Sequence, residues 1–285
     1  GRLVSGVRRA HALLGTLKPG AVVGFGGYPT FPPILAATMR AIPTVIHEQN
    51  AVMGRANRIL ARRVSRIAAS YEGTRRLPPG SEARVVVTGN PVRAAVIEAG
   101  KKPYRPPSAA GPLMLVAVGG SQGARVLSDL LPPALAALSQ SVRRRLEVVQ
   151  QARQEDLERV EAAYRQAGIA ATIAAFFKDL PEIVADAQLV VARAGASTVA
   201  ELAVLGRPAI LIPLPHALDN DQLYNARRFE AAGGGLCLQQ KGLDAATLSA
   251  AIAGLFEAPD RLSAAAAAAK CVGRPDAVAR LADLV

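Results

Sequence analysis

Cysteine and tryptophan are scarce in this 285-residue chain, which contains two cysteines and no tryptophan. Cys237 and Cys271 are too few for a disulfide framework and do not have the spacing of a zinc site. We expect both to be small, buried side chains in a cytosolic protein. The sequence also has no HExxH or CxxC motif, so we expect neither a metal nor a cofactor.

Acidic residues are scarce at the start of the chain. Residues 1–105 contain 17 basic and 4 acidic side chains, whereas residues 106–285 contain 17 basic and 18 acidic ones. The basic surplus of the first third predicts an anionic partner for that part, either a nucleic acid or a membrane surface. Aromatic residues make up only 4% of the chain and no RNA-binding motif is present, so nucleic acid is the less favoured partner.

A long uncharged run, residues 19–39, could span a bilayer by its length. Its four glycines and four prolines predict a strand, a loop and a helix start instead. The chain as a whole is 51% hydrophobic and 20% charged, a composition that can build a sizeable core.

Short apolar runs alternate with helical patterns along the chain. The apolar runs are continuous rather than alternating, which is typical of parallel sheets covered by helices on both faces, so we expect an α/β fold. The predicted strands are 21–25, 44–46, 66–70, 84–88, 113–118, 146–150, 189–192, 209–212 and 235–238. The predicted helices are 5–17, 31–40, 54–65, 123–138, 154–167, 197–205, 220–232 and 244–256.

A proline-rich, charged stretch at residues 101–108 interrupts this alternation, and the charge balance changes there. We therefore expect a front domain over 1–98, a linker over 99–112 and a back domain over 113–265.

Two segments of the back domain each follow a strand and open a helix. In the first, residues 119–125 (GGSQGAR), glycines allow close approach of a ligand and helix-start amides attract an anion, so we expect a phosphate site. A tight turn is the alternative. In the second, Ser197 or Thr198 can cap the helix. Glu201, one turn in, could bind a ribose diol or complete a capping box with Thr198.

A polar loop, residues 213–222, follows the strand 209–212 and leads into a helix. Its Asn, Asp and Gln side chains suit hydrogen bonds to sugar hydroxyls, although an ordinary capped loop is the favoured interpretation of this segment taken alone.

Polar residues also follow two strands of the front domain. His47 and Glu48 are acid/base candidates by residue type, and a packed histidine is the alternative for His47. Arg93 follows the strand 84–88 and could meet a phosphate.

Five arginines lie between Glu48 and Glu72 with no acidic residue among them. A basic amphipathic helix can lie on an anionic membrane, and a solvated helix face is the alternative. Their mutual repulsion favours a negatively charged partner. They are Arg55, Arg58, Arg62, Arg63 and Arg66.

Together these segments resemble the MurG family, glycosyltransferases that add N-acetylglucosamine to undecaprenyl-pyrophosphoryl-muramoyl-pentapeptide in bacterial cell-wall synthesis. The resemblance covers nearly the whole chain, in family order. The matching segments are 24–28 (GFGGY), 47–50 (HEQN), 89–93 (GNPVR), 119–125 (GGSQGAR), 193–201 (RAGASTVAE) and the loop ending at Gln222.

The resemblance implies a GT-B architecture: two Rossmann-like domains facing a cleft, with a last helix over 266–285 returning to the front domain. The back domain would bind UDP-N-acetylglucosamine. The basic front domain would bind the lipid acceptor at the cytoplasmic face of the bacterial plasma (inner) membrane, as a peripheral protein on an anionic surface. No nucleic acid is expected as a partner.

The resemblance also implies a set of donor-site residues. They are Gly120, Ser121 and Gln122 at the diphosphate, Glu201 at the ribose, the backbone of Phe177 at the uracil, Ala196, Ser197 and Thr198 along the donor site, Asp221 and Gln222 at the sugar hydroxyls, and Asn50 and Arg93 on the front side.

The family's N-terminal GGTGGH-type loop has no counterpart in this sequence. We therefore expect an incomplete front domain that transfers sugar poorly, together with an intact uridine site. The implied reaction is an inverting displacement by the acceptor's 4-hydroxyl, in which helix N-termini and Arg93 stabilise the departing UDP. His47 and Glu48 remain as candidates for the general base.

Two other functions stay open at this point. A UDP-N-acetylglucosamine 2-epimerase could use the same fold, but it needs several acid/base groups, and the chain has three histidines. A nucleic-acid-binding protein is the other possibility, suggested by the basic first third.

Overall fold

Two parallel sheets organise the computed structural model, which describes residues 1–120 and 124–285. Each sheet belongs to a separate unit of the chain, and every strand pair in the described residues is parallel. This confirms the expected α/β class. The first unit consists of residues 1–91, 216–224 and 274–285, and the second of residues 92–215 and 225–273.

The strands are short and the helices lie between them in sequence. In chain order, the strands are β1 (Val22–Gly24), β2 (Thr44–Glu48), β3 (Arg66–Ala69), β4 (Val85–Val87), β5 (Leu113–Val118), β6 (Leu146–Gln151), β7 (Ala170–Ala174), β8 (Leu189–Ala192), β9 (Ala209–Leu211) and β10 (Gly235–Cys237). The helices are α1 (Arg2–Leu17), α2 (Phe31–Met39), α3 (Arg55–Leu60), α4 (Ala94–Ala99), α5 (Arg125–Ala136), α6 (Gln140–Arg143), α7 (Leu157–Gln166), α8 (Leu180–Asp186), α9 (Ala196–Leu205), α10 (Asp221–Ala231), α11 (Ala245–Phe256), α12 (Pro259–Val272) and α13 (Ala277–Leu284).

The first unit has a four-stranded sheet in the order β1-β2-β3-β4. β2 is buried along its whole length. The core forms where Ile34 of α2 and Leu60 of α3 pack against Ile46 and Ile67 of the two inner strands. This packing fixes the carboxyl end of β2, where the HEQN segment begins.

The second unit has a six-stranded sheet in the order β10-β9-β8-β5-β6-β7. The chain runs outward from β5 through β6 to β7, and then returns to β8 on the other side of β5. The connection direction therefore reverses between β5 and β8. In doubly wound sheets, ligands bind at the carboxyl ends of the strands beside this reversal.

Several elements differ from the sequence-based expectation. β7 was not predicted, because its alanine-rich sequence has little of the β-branched and aromatic character that marks strands. The short helices α4, α6 and α8 were also missed. The predicted helix over 54–65 ends at Leu60, and the single helix expected over 266–285 is divided between α12 and α13 around Gly273.

The division of the chain also differs from the expected one. α4 belongs to the second unit, where Val96 is buried in the core with residues of α8 and α9. The second unit thus begins at Val92 rather than after the expected linker over 99–112. None of the described helices is both long enough and apolar enough to cross a membrane.

A buried arginine attaches the expected linker to the second unit. Arg207 is 1% exposed, and its guanidinium donates hydrogen bonds to the carbonyls of Ala185 (2.8 Å), Leu205 (2.7 Å) and Lys102 (3.1 Å). Burial lowers the pKa of Arg207. The ring of Tyr104 lies 5.7 Å from the guanidinium carbon. Residues 102–104 are therefore an ordered part of the second unit.

We expect Arg207→Met to lower the free energy of unfolding of the second unit by about 3 kcal/mol, because several buried carbonyls lose their donor. The matched control is Arg165→Met at a largely exposed position, which we expect to stay within about 0.5 kcal/mol of wild type. Urea unfolding measures both changes. Equal midpoints for the two variants would contradict the attachment.

Candidate donor and acceptor sites

The glycine turn after β5 lies at the reversal point of the second sheet. Val118 at the end of β5 pairs with Ala192 at the end of β8, so the loops that follow them are neighbours. Gly120 has a φ of 82°, a left-handed conformation that glycine adopts without strain. Ser121 and Gln122, the expected diphosphate ligands beside it, lie outside the described residues.

The neighbouring loop opens α9. Gly195 is the N-cap residue, and no side chain among the described residues caps the helix. The sequence-based suggestion that Ser197 or Thr198 caps it, with Glu201 completing a capping box, is therefore wrong. Because Ala196, Ser197 and Thr198 form the first turn, their N–H groups have no acceptor within the helix, and they are suited to bind an anion.

Glu201 lies one turn further along α9 and pairs with Arg93. Arg93 Nε lies 3.2 Å from one carboxylate oxygen and a terminal nitrogen lies 3.3 Å from the other. Burial raises the pKa of Glu201, and the arginine opposes this shift. Arg93, expected on the front side, belongs to the second unit. The pair is accessible, so a ligand hydroxyl could replace the guanidinium.

Two side chains with no predicted role, Arg193 and Asn225, brace this loop. Arg193 donates to the carbonyls of Ile212 (3.0 Å) and Pro213 (3.2 Å) after β9. Asn225, which is fully buried, donates to Ala194 O at 3.1 Å. In the sequence, Arg193 is a polar residue within an otherwise apolar segment, whereas Asn225 lies in a polar one and gives no such signal. Without long-range partners, however, the sequence does not show what they contact.

Phe177 follows β7, at the far end of the sheet from β10. Its loop leaves the same carboxyl edge as the loops after β5 and β8, but two strands away from β5. Gln151 at the end of β6 donates to Ala175 O at 3.1 Å, which ties the Phe177 loop to the intervening strand. The expected donor residues of the second unit thus share one sheet edge.

In the first unit, His47 is fully buried. Its Nε2 lies 2.9 Å from the carbonyl of Gly89, which can only accept, so Nε2 carries the proton. Nδ1 has no hydrogen-bond partner in the described residues, and the ring of Phe25 lies 5.8 Å away. Burial lowers the pKa of His47. The packed-histidine alternative fits this geometry, and the expected general base does not.

Glu48 is 2% exposed and organises the loop that follows it. One carboxylate oxygen accepts from Asn50 N (3.0 Å) and Asn50 Nδ2 (3.4 Å). The other accepts from Gly54 N (2.9 Å) and Asn57 Nδ2 (2.8 Å). Four hydrogen bonds occupy the lone pairs that a general base would use. This geometry argues for a supporting role rather than the expected catalytic one.

A pocket of about 460 Å³ opens beside this loop. Gly26 and Gly27 form its turn with left-handed φ values of 78° and 74°, and Gln49 Nε2 holds the turn by donating to Phe25 O at 2.9 Å. Polar groups of Asn50, Gln49 and Asn57 meet apolar side chains in its wall. The apolar lining residues are Leu3, Tyr28, Phe31, Ala56 and Ile59.

Asp221 and Gln222 belong to the first unit, as part of residues 216–224. Asp221 accepts from Gln222 N at 2.6 Å. Burial raises the pKa of Asp221, and the nearby charges of Glu48 and Asp219 raise it further. The sugar-binding candidates Asp221 and Gln222 thus lie in the same unit as Asn50.

The arginine-rich stretch after Glu48 has an acidic partner after all. Arg58 donates to Asp219 at 2.8 Å, and Arg76 contacts the same carboxylate. Asp219 and Asp221 have an Asp-x-Asp spacing, but arginines already neutralise Asp219. Among the described residues, no group of three His, Cys, Asp or Glu side chains could hold a metal.

Comparison with known proteins identifies the class. The model of the glycosyltransferase family 28 C-terminal domain matches residues 114–281, and that of the family 28 N-terminal domain matches residues 1–69. These matches cover most of the chain.

Similar proteins carry one name. The UDP-N-acetylglucosamine–N-acetylmuramyl-(pentapeptide) pyrophosphoryl-undecaprenol N-acetylglucosamine transferase of Mesorhizobium japonicum is 53% identical over 282 residues, 98% of this chain and 74% of that protein. The protein of the same name from Rhodopseudomonas palustris is 52% identical over 284 residues, 100% of this chain and 78% of that protein.

Solved structures agree. The crystal structure of Acinetobacter baumannii MurG superposes with a TM-score of 0.84 at 32% identity, covering 100% of this chain and 79% of that one. The UDP-GlcNAc 2-epimerase of Neisseria meningitidis superposes with a TM-score of 0.70 at 14% identity, covering 99% and 80%, and shows the fold alone.

The fold and the two domain models define a glycosyltransferase of family 28. Within that class, the chain belongs to the MurG family of N-acetylglucosaminyltransferases, as its relatives and the MurG structure show.

We expect His47 to make stability depend on pH. Its pKa is lowered in the folded state, below its ordinary value of about 6.5. Protonation therefore favours the unfolded chain. The stability is present above pH 6.5 and is lost as the pH falls through the folded-state pKa. The free energy of unfolding should fall between pH 7 and pH 5 in wild type and fall less in His47→Gln.

Urea unfolding at the two pH values measures this difference, and His11→Gln is the control because His11 lies on α1, away from this core. An equal pH dependence in His47→Gln and wild type would show that His47 is not the titrating group.

Proposed function

We propose that the chain transfers N-acetylglucosamine from UDP-N-acetylglucosamine to the 4-hydroxyl of the muramoyl residue of undecaprenyl-pyrophosphoryl-MurNAc-pentapeptide, converting lipid I to lipid II in peptidoglycan synthesis. The observation that carries this proposal is the adjacency of the Gly120 turn and the α9 N-terminus at the reversal point of the second sheet. Both relatives are named for this transfer.

The donor would bind along this sheet edge. The Gly120 turn, with Ser121 and Gln122, and the first amides of α9 (Ala196, Ser197, Thr198) suit a diphosphate, because unpaired N–H groups and the helix dipole favour negative charge. Glu201 suits the ribose diol, since a carboxylate can accept two hydroxyl donors. The backbone at Phe177 would contact the uracil.

Release of Arg93 from Glu201 would accompany this binding. Once a ribose engages the carboxylate, the guanidinium is free to approach the diphosphate. Fixed positive charge at the leaving group stabilises the transition state as UDP departs. Direct displacement would invert the anomeric carbon.

The sugar and the acceptor would use groups of the first unit. Asn50, Asp221 and Gln222 suit the donor's hydroxyls, and the 460 Å³ pocket beside Gly26 and Gly27 suits part of the acceptor. His47 and Glu48 support this region, since His47 holds the strand end at Gly89 and Glu48 orients Asn50. We propose that the general base is a group other than these two.

We also propose that the first unit docks on the cytoplasmic face of the bacterial inner membrane. On α1, Val4, Leu13 and Leu17 are each more than half exposed, alongside exposed basic residues such as Arg8 and Arg9. A helix with exposed apolar and cationic side chains is suited to an anionic lipid surface.

The transfer itself is tested with radiolabelled UDP-N-acetylglucosamine and a lipid-linked muramoyl-pentapeptide acceptor. We expect UDP release and a labelled disaccharide lipid with inverted anomeric configuration. Slow formation of this product is sufficient to support the proposed transfer. Formation of N-acetylmannosamine without labelled lipid would instead indicate an epimerase.

The same assay, with the acceptor placed in vesicles, tests the proposed docking of the first unit on a membrane. We expect faster transfer in vesicles containing anionic phospholipid than in zwitterionic ones, and a loss of that difference at high salt. Equal rates in both vesicles would contradict the membrane proposal.

We expect Glu201→Ala to weaken UDP binding about tenfold or more, because hydrogen bonds to a charged group are worth roughly 1.5–3 kcal/mol. Binding of 2′-deoxy-UDP should change less, since it offers one hydroxyl fewer. Calorimetry with both nucleotides measures the two affinities. Glu182→Ala, at an exposed position of α8, is the control, and wild-type affinity in Glu201→Ala would contradict the ribose role.

A further inference from the structure

The segment that precedes the sugar-binding candidates has an unfavourable backbone. His216, Asp219 and Asn220 have φ values of 65°, 59° and 56°, in the left-handed region that residues with a Cβ rarely occupy, although His, Asp and Asn enter it more often than the others. Three such residues within five positions cost free energy, and they persist only where surrounding contacts offset that cost. Asp219 makes contacts of this kind with arginines of the first unit.

Asp219 is the focus of an arginine cluster in the first unit. Arg58 donates to one carboxylate oxygen at 2.8 Å, Arg76 contacts the other, and Arg55 Nε lies 3.9 Å away. The Asp219 side chain is 12% exposed, so water screens these pairs less than it screens surface pairs. Charge-assisted hydrogen bonds of this kind are stronger than neutral ones.

A second contact holds the other end of the same segment. The guanidinium carbon of Arg75 lies 4.5 Å from the centre of the Tyr224 ring, a cation–π geometry. Asp221 and Gln222 lie between the two anchored residues. The short stretch that carries Asp221 and Gln222 is therefore held at both ends by arginines, which belong to α3 and to the loop at residues 75–76.

The backbone around these arginines is itself fixed to the loop that follows β2. The backbone of Arg75 accepts from Met53 N (2.9 Å) and donates to Ala51 O (2.8 Å). α3, which carries Arg58, begins at the Gly54 amide bonded to Glu48. The backbone positions of Arg58 and Arg75 are thus set by the loop that follows β2, and the buried carboxylate of Glu48 holds the Gly54 end of that loop.

We propose that Asp219 is a positioning residue for the donor sugar. By holding residues 216–220 against Arg58 and Arg76, it fixes the start of α10, and with it the directions in which Asp221 and Gln222 present their side chains to the hydroxyls of an N-acetylhexosamine. Asp219 does not touch the sugar. This role rests on the proposed function, in which Asp221 and Gln222 contact the donor.

The test separates the sugar from the nucleotide. Asp219→Asn removes the charge but keeps a residue that tolerates the left-handed backbone, so strain is not added. Calorimetry with UDP and with UDP-N-acetylglucosamine gives two affinities for each protein. We expect Asp219→Asn to weaken binding of UDP-N-acetylglucosamine about tenfold while the affinity for UDP changes less than about twofold.

Two arginine variants refine the test. Arg58→Gln should weaken UDP-N-acetylglucosamine in the same selective way, and the double variant Arg58→Gln/Asp219→Asn should bind no more weakly than Asp219→Asn alone, because both changes break one contact. Arg62→Gln is the matched control, since Arg62 is exposed and pairs with no carboxylate in the described part of the chain. It should bind both nucleotides as wild type does.

Each remaining outcome decides the question. Wild-type affinity for UDP-N-acetylglucosamine in Asp219→Asn would overturn the positioning role, as would an equal loss of affinity for UDP. If wild type binds neither nucleotide, the donor assignment itself fails and the positioning role falls with it. Thermal unfolding of each variant shows whether it folds. If Asp219→Asn does not fold, Arg58→Gln tests the same contact.

Discussion

Parallel strand pairing is the constraint on which the rest of this structure depends. In a parallel sheet every strand is followed by a crossover to the far end of the next one, so successive strand-to-helix loops gather at one edge. In the second unit this brings the Gly120 turn beside the N-terminus of α9, although more than 70 residues separate them along the chain. In the first unit it brings the GFGGY turn beside the HEQN loop.

Local patterns in the sequence predict much of this fold. Nine of the ten strands in the described residues were predicted, and eight of those nine runs are rich in Val, Ile or Leu and end at glycine, proline or polar residues. β7 was missed because alanine dominates it. The glycine turns were predicted for a local reason too, since a left-handed backbone favours glycine wherever it occurs.

The site was harder to predict wherever a residue's role depends on a distant partner. The spacing of Thr198 and Glu201 fits a capping box, and only the contact with Arg93, 108 positions away, shows that Glu201 faces outward. Residue type alone makes His47 and Glu48 acid/base candidates. Burial and hydrogen bonds, which the sequence does not display, turn both towards the protein interior.

The buried polar groups of the first unit thus serve mainly to stabilise its structure. A carboxylate at 2% exposure is costly to bury unless hydrogen bonds replace water, and Glu48 obtains them from the loop that it shapes. Because that loop leads into α3, the same carboxylate helps to set the position of Arg58. The basic surplus of the first third is therefore not all available to a membrane. Part of it is committed internally to Asp219, and the exposed arginines of α1 and of residues 62–66 are among the charges that the proposed docking on a lipid surface would use.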